Sequence, residues 1–308
     1  MNTFAKKTRC AQNFLIAIWQ YIVIMEKVRK NLQWYFLGLL FAATFFVWYA
    51  VFAESDQRLT VAFLNVSQGD AILINTPGNQ QILIDGGPNK QVLAELSKVM
   101  PFYDRSIDVV IATHPDQDHI SGLLDVLERY EVDFVMEPGV ESETVVYKEF
   151  EKLVEEKQIK KILARRGMKL VLDDDAYLLI LFPDRDVSKM DTNDASIVAK
   201  LVYGNTSFLF TGDSPKKIEG YLVSIDKENL DVDVLKAGHH GSKTSSSESF
   251  IGYASPEYAI ISAGKNNRYG HPHQEVMDIL EKFGVKTLRT DLLGSIIMKS
   301  DGESILVR

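Results

Sequence analysis

Hydrophobic positions fall into two regimes along the chain. From Leu32 to Ala53 the sequence runs LQWYFLGLLFAATFFVWYAVFA without a charged residue. About twenty consecutive apolar residues is the length that crosses a bilayer as a helix. Trp34, Tyr35, Trp48 and Tyr49 lie near the two ends of the run, where interfacial aromatics are favoured. Lys27, Arg29 and Lys30 precede it, and Glu54, Ser55 and Asp56 follow. The positive-inside bias predicts a cytoplasmic N-terminus and a main domain outside the cytoplasm. The other readings of the run are a buried core helix and a signal peptide, with Val51 and Ala53 at positions −3 and −1 of a cleavage site before Glu54. Under the second, Met25 would serve as the start and the domain would be secreted. The earlier stretch Phe14 to Ile24 is too short to span alone. The expected organisation is a basic segment over 1–31, an anchor or signal over 32–53, and a folded domain over 57–308.

In that last region short β-branched runs alternate with helical patterns. Strands are predicted at Leu59–Val66, Ala71–Thr76, Gln81–Asp85, Asp108–Thr113, Tyr177–Phe182, Ser196–Tyr203 and Ser207–Thr211, then at Val232–Lys236, Tyr258–Ser262, Lys286–Thr290, Ser295–Lys299 and Ser304–Val307. Turn residues separate them, among them Gly204-Asn205, a hairpin signal between two apolar runs. Helical spacing occupies about Lys90–Val99, His119–Tyr130, Thr144–Lys157, Pro215–Ser224 and Pro272–Phe283. Many strands with interspersed helices predict an α+β domain of two sheets with helices packed outside them.

Charge is unevenly placed. The net charge is −8, and the first thirty residues carry +5, which leaves −13 on the remainder. A body this acidic does not attract nucleic acid by general electrostatics, so a phosphodiester substrate would need bound metals and a few local cations. The single cysteine, Cys10, precedes the domain and excludes an internal disulfide or a cysteine-based zinc site.

The six histidines form three clusters: His114 with His119, His239 with His240, His271 with His273. The first sits in His114-Pro115-Asp116-Gln117-Asp118-His119, four potential ligands in six residues. Imidazole and carboxylate together suit borderline and hard divalent cations. Pro115 keeps a helix from running through His114, so the segment is predicted as a loop at a strand end with a helix beginning near His119. Asp213 follows an apolar strand and a glycine, where it can reach a site at the sheet edge or cap the helix that begins at Pro215. In LKAGHHGSKTS, one of His239 and His240 is expected to bind metal while the other turns away. Ser242, Lys243 and Ser245 are candidates to hold a substrate anion. His271 is a candidate ligand or leaving-group acid, and His273 is expected to face solvent. Asp85, ending QILID, is either a turn aspartate or a carboxylate that orients a ligating histidine.

In this order these residues resemble the metallo-β-lactamase superfamily, and in finer detail the hydrolase domain of ComEC-type competence proteins. The similar passages are VAFLNVSQGDAILINTPGNQQILIDGG, THPDQDHISGLL, NDASIVAKLVYGNTSFLFTGD, LKAGHHGSKTS and NNRYGHPH. The resemblance implies an αββα sandwich with two divalent ions, Zn2+ or Mn2+, at one edge of the sheets. It places His114 and Asp116 at the first ion, Asp118 and His119 at the second, Asp213 between them, and His239 as the later histidine with His240 in support. Asp118, His271 and Lys243 are the expected catalytic residues. Asp116 stands where the superfamily has a second histidine, and no histidine lies between His119 and His239. Asn193 or Asp194 is expected to substitute for that intervening ligand. The oxygen-rich set favours a harder ion such as Mn2+.

The function expected is a membrane-anchored, exported metal-dependent phosphodiesterase that attacks through a metal-held hydroxide, a nuclease acting on DNA being one form of it. The alternatives are a carbonyl hydrolase of lactamase or esterase type and a non-catalytic metal-binding module. A single spanning helix cannot form a DNA pore, and nothing in the sequence indicates an oligomeric state.

Overall fold

The computed structural model describes residues 2–53, 58–173 and 175–308, without the side chains of 1–13 and 50–53. The expected cleavage point after Ala53, the acidic residues Glu54 and Asp56, the expected domain start at 57 and the Cys10 thiol lie outside the described residues. Contacts divide the chain into two units, 1–56 and 57–308.

The first unit is one helix, α1 (Asn2–Ala53). Phe14 to Ile24 therefore belongs to the same helix as the run from Leu32, not to a separate short segment. Residues Phe14–Tyr49 are long and apolar enough to cross a membrane. None of that window is buried among the described residues, whereas a core helix is mostly buried.

The second unit builds its first sheet from β1 (Leu59–Phe63), β2 (Ile72–Asn75), β3 (Gln81–Ile84), β4 (Ser106–Ile111), β5 (Glu131–Glu137) and β6 (Lys160–Leu163). Helices α2 (Gln91–Val99), α3 (Gln117–Arg129) and α4 (Val145–Glu156) are interleaved with these strands. The second sheet holds β7 (Lys169–Asp173), β8 (Ala176–Phe182), β9 (Val198–Tyr203), β10 (Thr206–Phe210), β11 (Val234–Lys236), β12 (Tyr258–Ile261) and β13 (Lys286–Arg289). With it come α5 (Lys216–Asp226), α6 (Glu248–Ala254), α7 (Gln274–Lys282) and the short α8 (Thr290–Leu293). Two last strands, β14 (Ile296–Ser300) and β15 (Ile305–Val307), return to the first sheet beside β1.

Both sheets follow one plan. An antiparallel meander (β1-β2-β3, and β7-β8-β9-β10) passes into parallel strands (β3-β4-β5-β6, and β10-β11-β12-β13). Strands covered on both faces read as near-continuous hydrophobic runs, and β1 shows why. Its Val61 and Phe63 join the cluster between the sheets with Phe208 and Phe210 of β10, while Ala62 faces the layer of α2, α3 and α4. A third cluster packs Leu209 and Leu235 against α5, α6 and α7. The result is the four-layer helix-sheet-sheet-helix sandwich. Phe63 and Phe208 are fully buried, each contributing about 1.5–3 kcal/mol of transfer free energy as an upper estimate.

Three strands escape the sequence pattern: β5, β6 and β7. β6 reads KKIL with both lysines exposed, and β6 and β7 are edge strands of their sheets. Charged residues on an edge discourage pairing with another chain, and they also erase the alternation by which a strand is recognised. α6 and α8 were missed because seven and four residues are too few to display a helical period.

The topology places the chemistry. In open sheets, functional groups collect at the carboxyl ends of parallel strands. Asp85 follows β3, His114 follows β4, Asp213 follows β10, and the histidine pair follows β11. The ends of β4 and β10 meet where Gly212 adopts φ +51°, and a Cβ there would come 3.1 Å from the Thr113 Cβ.

Candidate metal centre

After β4 the chain turns through His114-Pro115-Asp116 and enters α3 at Gln117, two residues before the expected start. Asp116 is the N-cap residue, but its side chain makes no capping bond and is left available to the cleft. Asp118 and His119 fall in the first helical turn. Asp213, expected to cap α5 as well, does not: Pro215 is that helix's N-cap residue.

Asp213 is 3% exposed and lies at the centre of the group. Its Oδ1 is 3.3 Å from His119 Nε2, and its Oδ2 is 4.0 Å from His114 Nε2, 3.6 Å from His239 Nε2 and 3.5 Å from His240 Nε2. His114 Nε2 is also 3.8 Å from Asp116 Oδ2, and His240 Nε2 is 3.3 Å from Asp118 Oδ2. Two of the close-packed sets are His114–His119–Asp213 and Asp118–His119–His240.

The decisive property is how these atoms fail to satisfy one another. Nε2 of His114, His119 and His240 and Oδ1 of Asp213 are all buried, and none has a hydrogen-bond partner. Leaving such a group unpaired costs about 1–3 kcal/mol each. Four such atoms around Asp213, close together but out of hydrogen-bond alignment, are arranged as cation ligands are. The residues present fit a metal.

The opposite ring nitrogens are held. His119 Nδ1 is 2.7 Å from Asp85 Oδ2, and His114 Nδ1 is 3.0 Å from Thr113 Oγ1. Asp85 also accepts from Thr113 N at 2.8 Å and Thr113 Oγ1 at 2.7 Å. It therefore braces a histidine rather than serving only as a turn residue. His240 Nδ1 lies 3.1 Å from the Ser262 carbonyl and 3.3 Å from Asp70 Oδ1.

The charges interlock. Burial alone would push His119 down, but Asp213 and Asp85 outweigh it and hold the imidazole well above its ordinary value. Burial opposes ionisation of Asp213 too, yet His240 and His119 hold it well below the carboxylate range. His240 is raised to about 9 against the effect of burial by Asp213 and Asp70. His114 is lowered by burial and by the neighbouring His119. A divalent cation would replace these protons and keep the imidazoles neutral.

The other side chains expected at the site are placed as follows. His240, expected in support, is the buried member of its pair and belongs to the close-packed sets, while the His239 side chain is 27% exposed. Two consecutive left-handed residues, His239 (φ 47°) and His240 (φ 55°), send the rings to different places. Asp194 is turned away and accepts from Lys217 at 2.7 Å. Asn193 stays close to the fold's interior with a buried Oδ1 that has no partner. Ser245 spends its hydroxyl on the Ser214 carbonyl, and Ser242 accepts from Thr244 N and Oγ1, so both help tie the loop together. Lys243 is exposed, and its backbone N–H donates to His273 Nδ1. His273, expected in solvent, is thus the half-buried N-cap residue of α7.

His271 is held by Asn267, which accepts from its N–H and donates to its carbonyl. Gln68 accepts from Gly264 N through Oε1, which turns its amide nitrogen toward His271 Nδ1 at 3.5 Å and leaves the ring proton on Nε2. Burial and the rings of His240, His239 and His273 lower its pKa to about 4. At neutral pH the His271 ring is thereby held neutral.

Two charged residues were missed altogether. Asp70, between β1 and β2, and Lys236, ending β11, are both buried and paired at 2.8 Å. The one available signal was a lysine closing an otherwise apolar strand. Beside Asp118 opens a cavity of about 460 Å3 whose lining includes Gln68, Asn89, Gln117, Lys265, Arg268 and Tyr269.

Comparison with known proteins adds lineage. A model of the metallo-beta-lactamase superfamily matches residues 64–265. ComE operon protein 3 of Bacillus subtilis (strain 168) is 33% identical over 260 residues, covering 77% of this chain and 32% of that protein. Competence protein ComA of Neisseria gonorrhoeae is 31% identical over 255 residues, covering 82% and 34%. The chain spans about a third of the length of these curated relatives. Among solved structures, CmlA, a diiron beta-hydroxylase from Streptomyces venezuelae, superposes with a TM-score of 0.53 at 14% identity over 80% of this chain and 54% of that one, a likeness of fold alone.

Proposed function

The chain belongs to the metallo-beta-lactamase superfamily, and we propose that it is a metal-dependent phosphodiesterase carrying two divalent ions, Mn2+ or Zn2+, tethered to a membrane by α1 with its hydrolase unit outside the cytoplasm. The observation that carries the metal reading is the set of buried, unpartnered nitrogen and carboxylate atoms around Asp213. One ion would be held by His114, Asp116 and Asp213, with His239 and Asn193 alongside. The other would be held by Asp118, His119, His240 and Asp213. Such ions supply Lewis acidity and a water of lowered pKa.

The chain's own residues would do the rest. Asp85 and Thr113 fix the tautomers of His119 and His114. His271, neutral with its proton on Nε2, donates a hydrogen bond to an oxygen of the substrate. The cavity beside Asp118 supplies the positive charge that the acidic body otherwise lacks. Lys265 and Arg268 are exposed on its wall, and the Tyr269 ring, stacked on His271 with the Arg268 guanidinium over it, joins that wall to the site. These features favour a phosphodiester over a carbonyl substrate. Relatives named for competence and recombination favour DNA as the diester.

The test is hydrolysis of bis(p-nitrophenyl) phosphate and of a chromogenic β-lactam by the purified full chain in detergent, metal-stripped and then reloaded with Mn2+ or Zn2+. Metal-dependent turnover of the diester, lost in the Asp118→Ala, His119→Ala double variant, supports the proposal. Turnover of the lactam alone would replace it with the carbonyl reading, and metal binding without turnover of either would leave a binding module.

A further inference from the structure

The metal centre is assembled from two sheets, and something must hold the halves in register. Asp118 and His119 come from the first sheet's side, Asp213 and His240 from the second's. The loop that carries Asp70 leaves the first sheet after β1, and Lys236 closes β11 of the second. We propose that the buried Asp70–Lys236 ion pair is the positioning device of the His240 half of the centre, bridging the sheets and presenting His240 Nε2 to the cation. The inference rests on the metal reading above.

Each contact of the pair bears on His240 or on its neighbours. Asp70 Oδ2 takes Lys236 Nζ at 2.8 Å, which leaves Oδ1 facing His240 Nδ1 at 3.3 Å. Lys236 Nζ also donates to the Ala237 carbonyl at 2.9 Å, three residues before His240 and at the mouth of the left-handed His239-His240 turn. Asp70 N donates to the Asp118 carbonyl at 3.3 Å. Gly69 makes that approach possible: with φ +130°, a Cβ there would lie 2.1 Å from the same carbonyl oxygen. The pair thus touches the backbone under Asp118, the ring of His240 and the turn that aims it.

Asp70 also falls within ligand-like distance of Asp213 and His240, so a direct role on the ion has to be weighed. Lys236 decides against it. A fully buried ammonium has few partners, and this one has the Asp70 carboxylate and one carbonyl. With Oδ2 committed to Lys236, only Oδ1 is available, and it faces the Nδ1 edge of the His240 ring, whereas the Nε2 edge faces Asp118 and Asp213. Ligating histidines commonly donate their other ring nitrogen to a carboxylate, and loss of that carboxylate typically weakens metal binding about 10–100-fold.

The experiment separates position from charge. The full chain in detergent is stripped of metal and titrated with Mn2+ by calorimetry, with circular dichroism of each stripped protein reporting its fold. The Asp70→Ala, Lys236→Met double variant keeps the net charge of the pair at zero but removes the carboxylate facing His240 Nδ1, leaving the Ser262 carbonyl there. A positioning role predicts Mn2+ binding weakened about tenfold or more. The Asp70→Asn, Lys236→Met variant keeps an amide oxygen facing His240 Nδ1, and is expected to recover most of the affinity. It also covers the case in which the first variant does not fold. Wild-type affinity in the Ala/Met variant, or a loss in the Asn/Met variant equal to that in a folded Ala/Met variant, would overturn the inference. Failure of the wild-type chain itself to bind Mn2+ would overturn the metal reading and this inference with it.

Discussion

The Nδ1 of His119 and the Oδ2 of Asp85 stand 2.7 Å apart, both fully buried, with the backbone of Asp85 held in the left-handed region at φ 58°. Holding an aspartate there costs conformational energy that the three hydrogen bonds into its carboxylate offset. Asp85→Asn tolerates the same backbone but cannot accept from both Thr113 N and His119 Nδ1, since one of its two atoms is now a donor. Mn2+ affinity is expected to fall about 10–100-fold with the fold intact. Calorimetric titration beside a thermal melt measures both, and an unchanged affinity would remove Asp85 from the centre.

Among the described residues Asp213 is the one carboxylate approached by four imidazoles. Asp213→Asn keeps its volume and removes its charge, so the chain should hold at most one of the two proposed ions and lose at least about a hundredfold in diester turnover. Metal content by mass spectrometry of dialysed protein, set against wild type, is the direct measurement. Two ions retained per chain would show that Asp213 is not shared between them.

The adjacent histidines give opposite expectations. His240 is buried between Asp118 and Asp213, whereas His239 is partly exposed and bonded through Nδ1 to Thr244. His240→Ala should weaken Mn2+ binding more than His239→Ala by about tenfold or more. Equal losses, or the reverse order, would return His239 to the role that the sequence assigned it.

That pair marks the boundary of what the sequence can tell. Strand ends are legible because an apolar run stops at a glycine, a proline or an acid, so His114, Asp116, Asp118, His119 and Asp213 could be placed at one edge before any coordinates. Which of two neighbouring histidines points inward depends on two left-handed backbone angles that no local pattern announces. Asp70 and Lys236 were illegible for a related reason: each is ordinary in its own loop or strand, and their meaning arises only when two sheets bring them to 2.8 Å. Nor does the loop sequence announce that the Ser245 hydroxyl is used on the Ser214 carbonyl.

Lys265 and Arg268 line the cavity beside Asp118 but do not belong to the ligand sets. Replacing both with Ala should leave hydrolysis of bis(p-nitrophenyl) phosphate near wild type while raising KM for a single-stranded oligonucleotide. Two lost phosphate contacts should also flatten the slope of log affinity against log salt by about 1.4. Oligonucleotide cleavage at two salt concentrations, wild type against variant, tests this. Parallel losses on both substrates would mean that the cavity shapes the centre and does not bind the strand.

The last expectation concerns the end of β5. Glu137 is 4% exposed, beside Lys161 Nζ at 3.1 Å, and Lys161 also reaches Glu151 at 2.6 Å. Burial, together with the Glu151 charge, raises the Glu137 carboxyl to about 7 in spite of Lys161. A carboxyl whose pKa is raised by folding binds more protons in the native than in the unfolded state between about pH 4.5 and 7. Its contribution is therefore complete below about 4.5 and is lost as the pH climbs through about 7. Glu137→Gln removes the ionisable group while keeping its shape. Relative to wild type the variant should gain stability on going from pH 5 to pH 8, by at most about 3 kcal/mol. Thermal melts of both proteins in chelator at the two pH values measure the difference, with the metal ligands titrating alike in each. If the gap between wild type and variant is the same at pH 5 and pH 8, Glu137 ionises at an ordinary carboxyl pH and Lys161 fully offsets its burial.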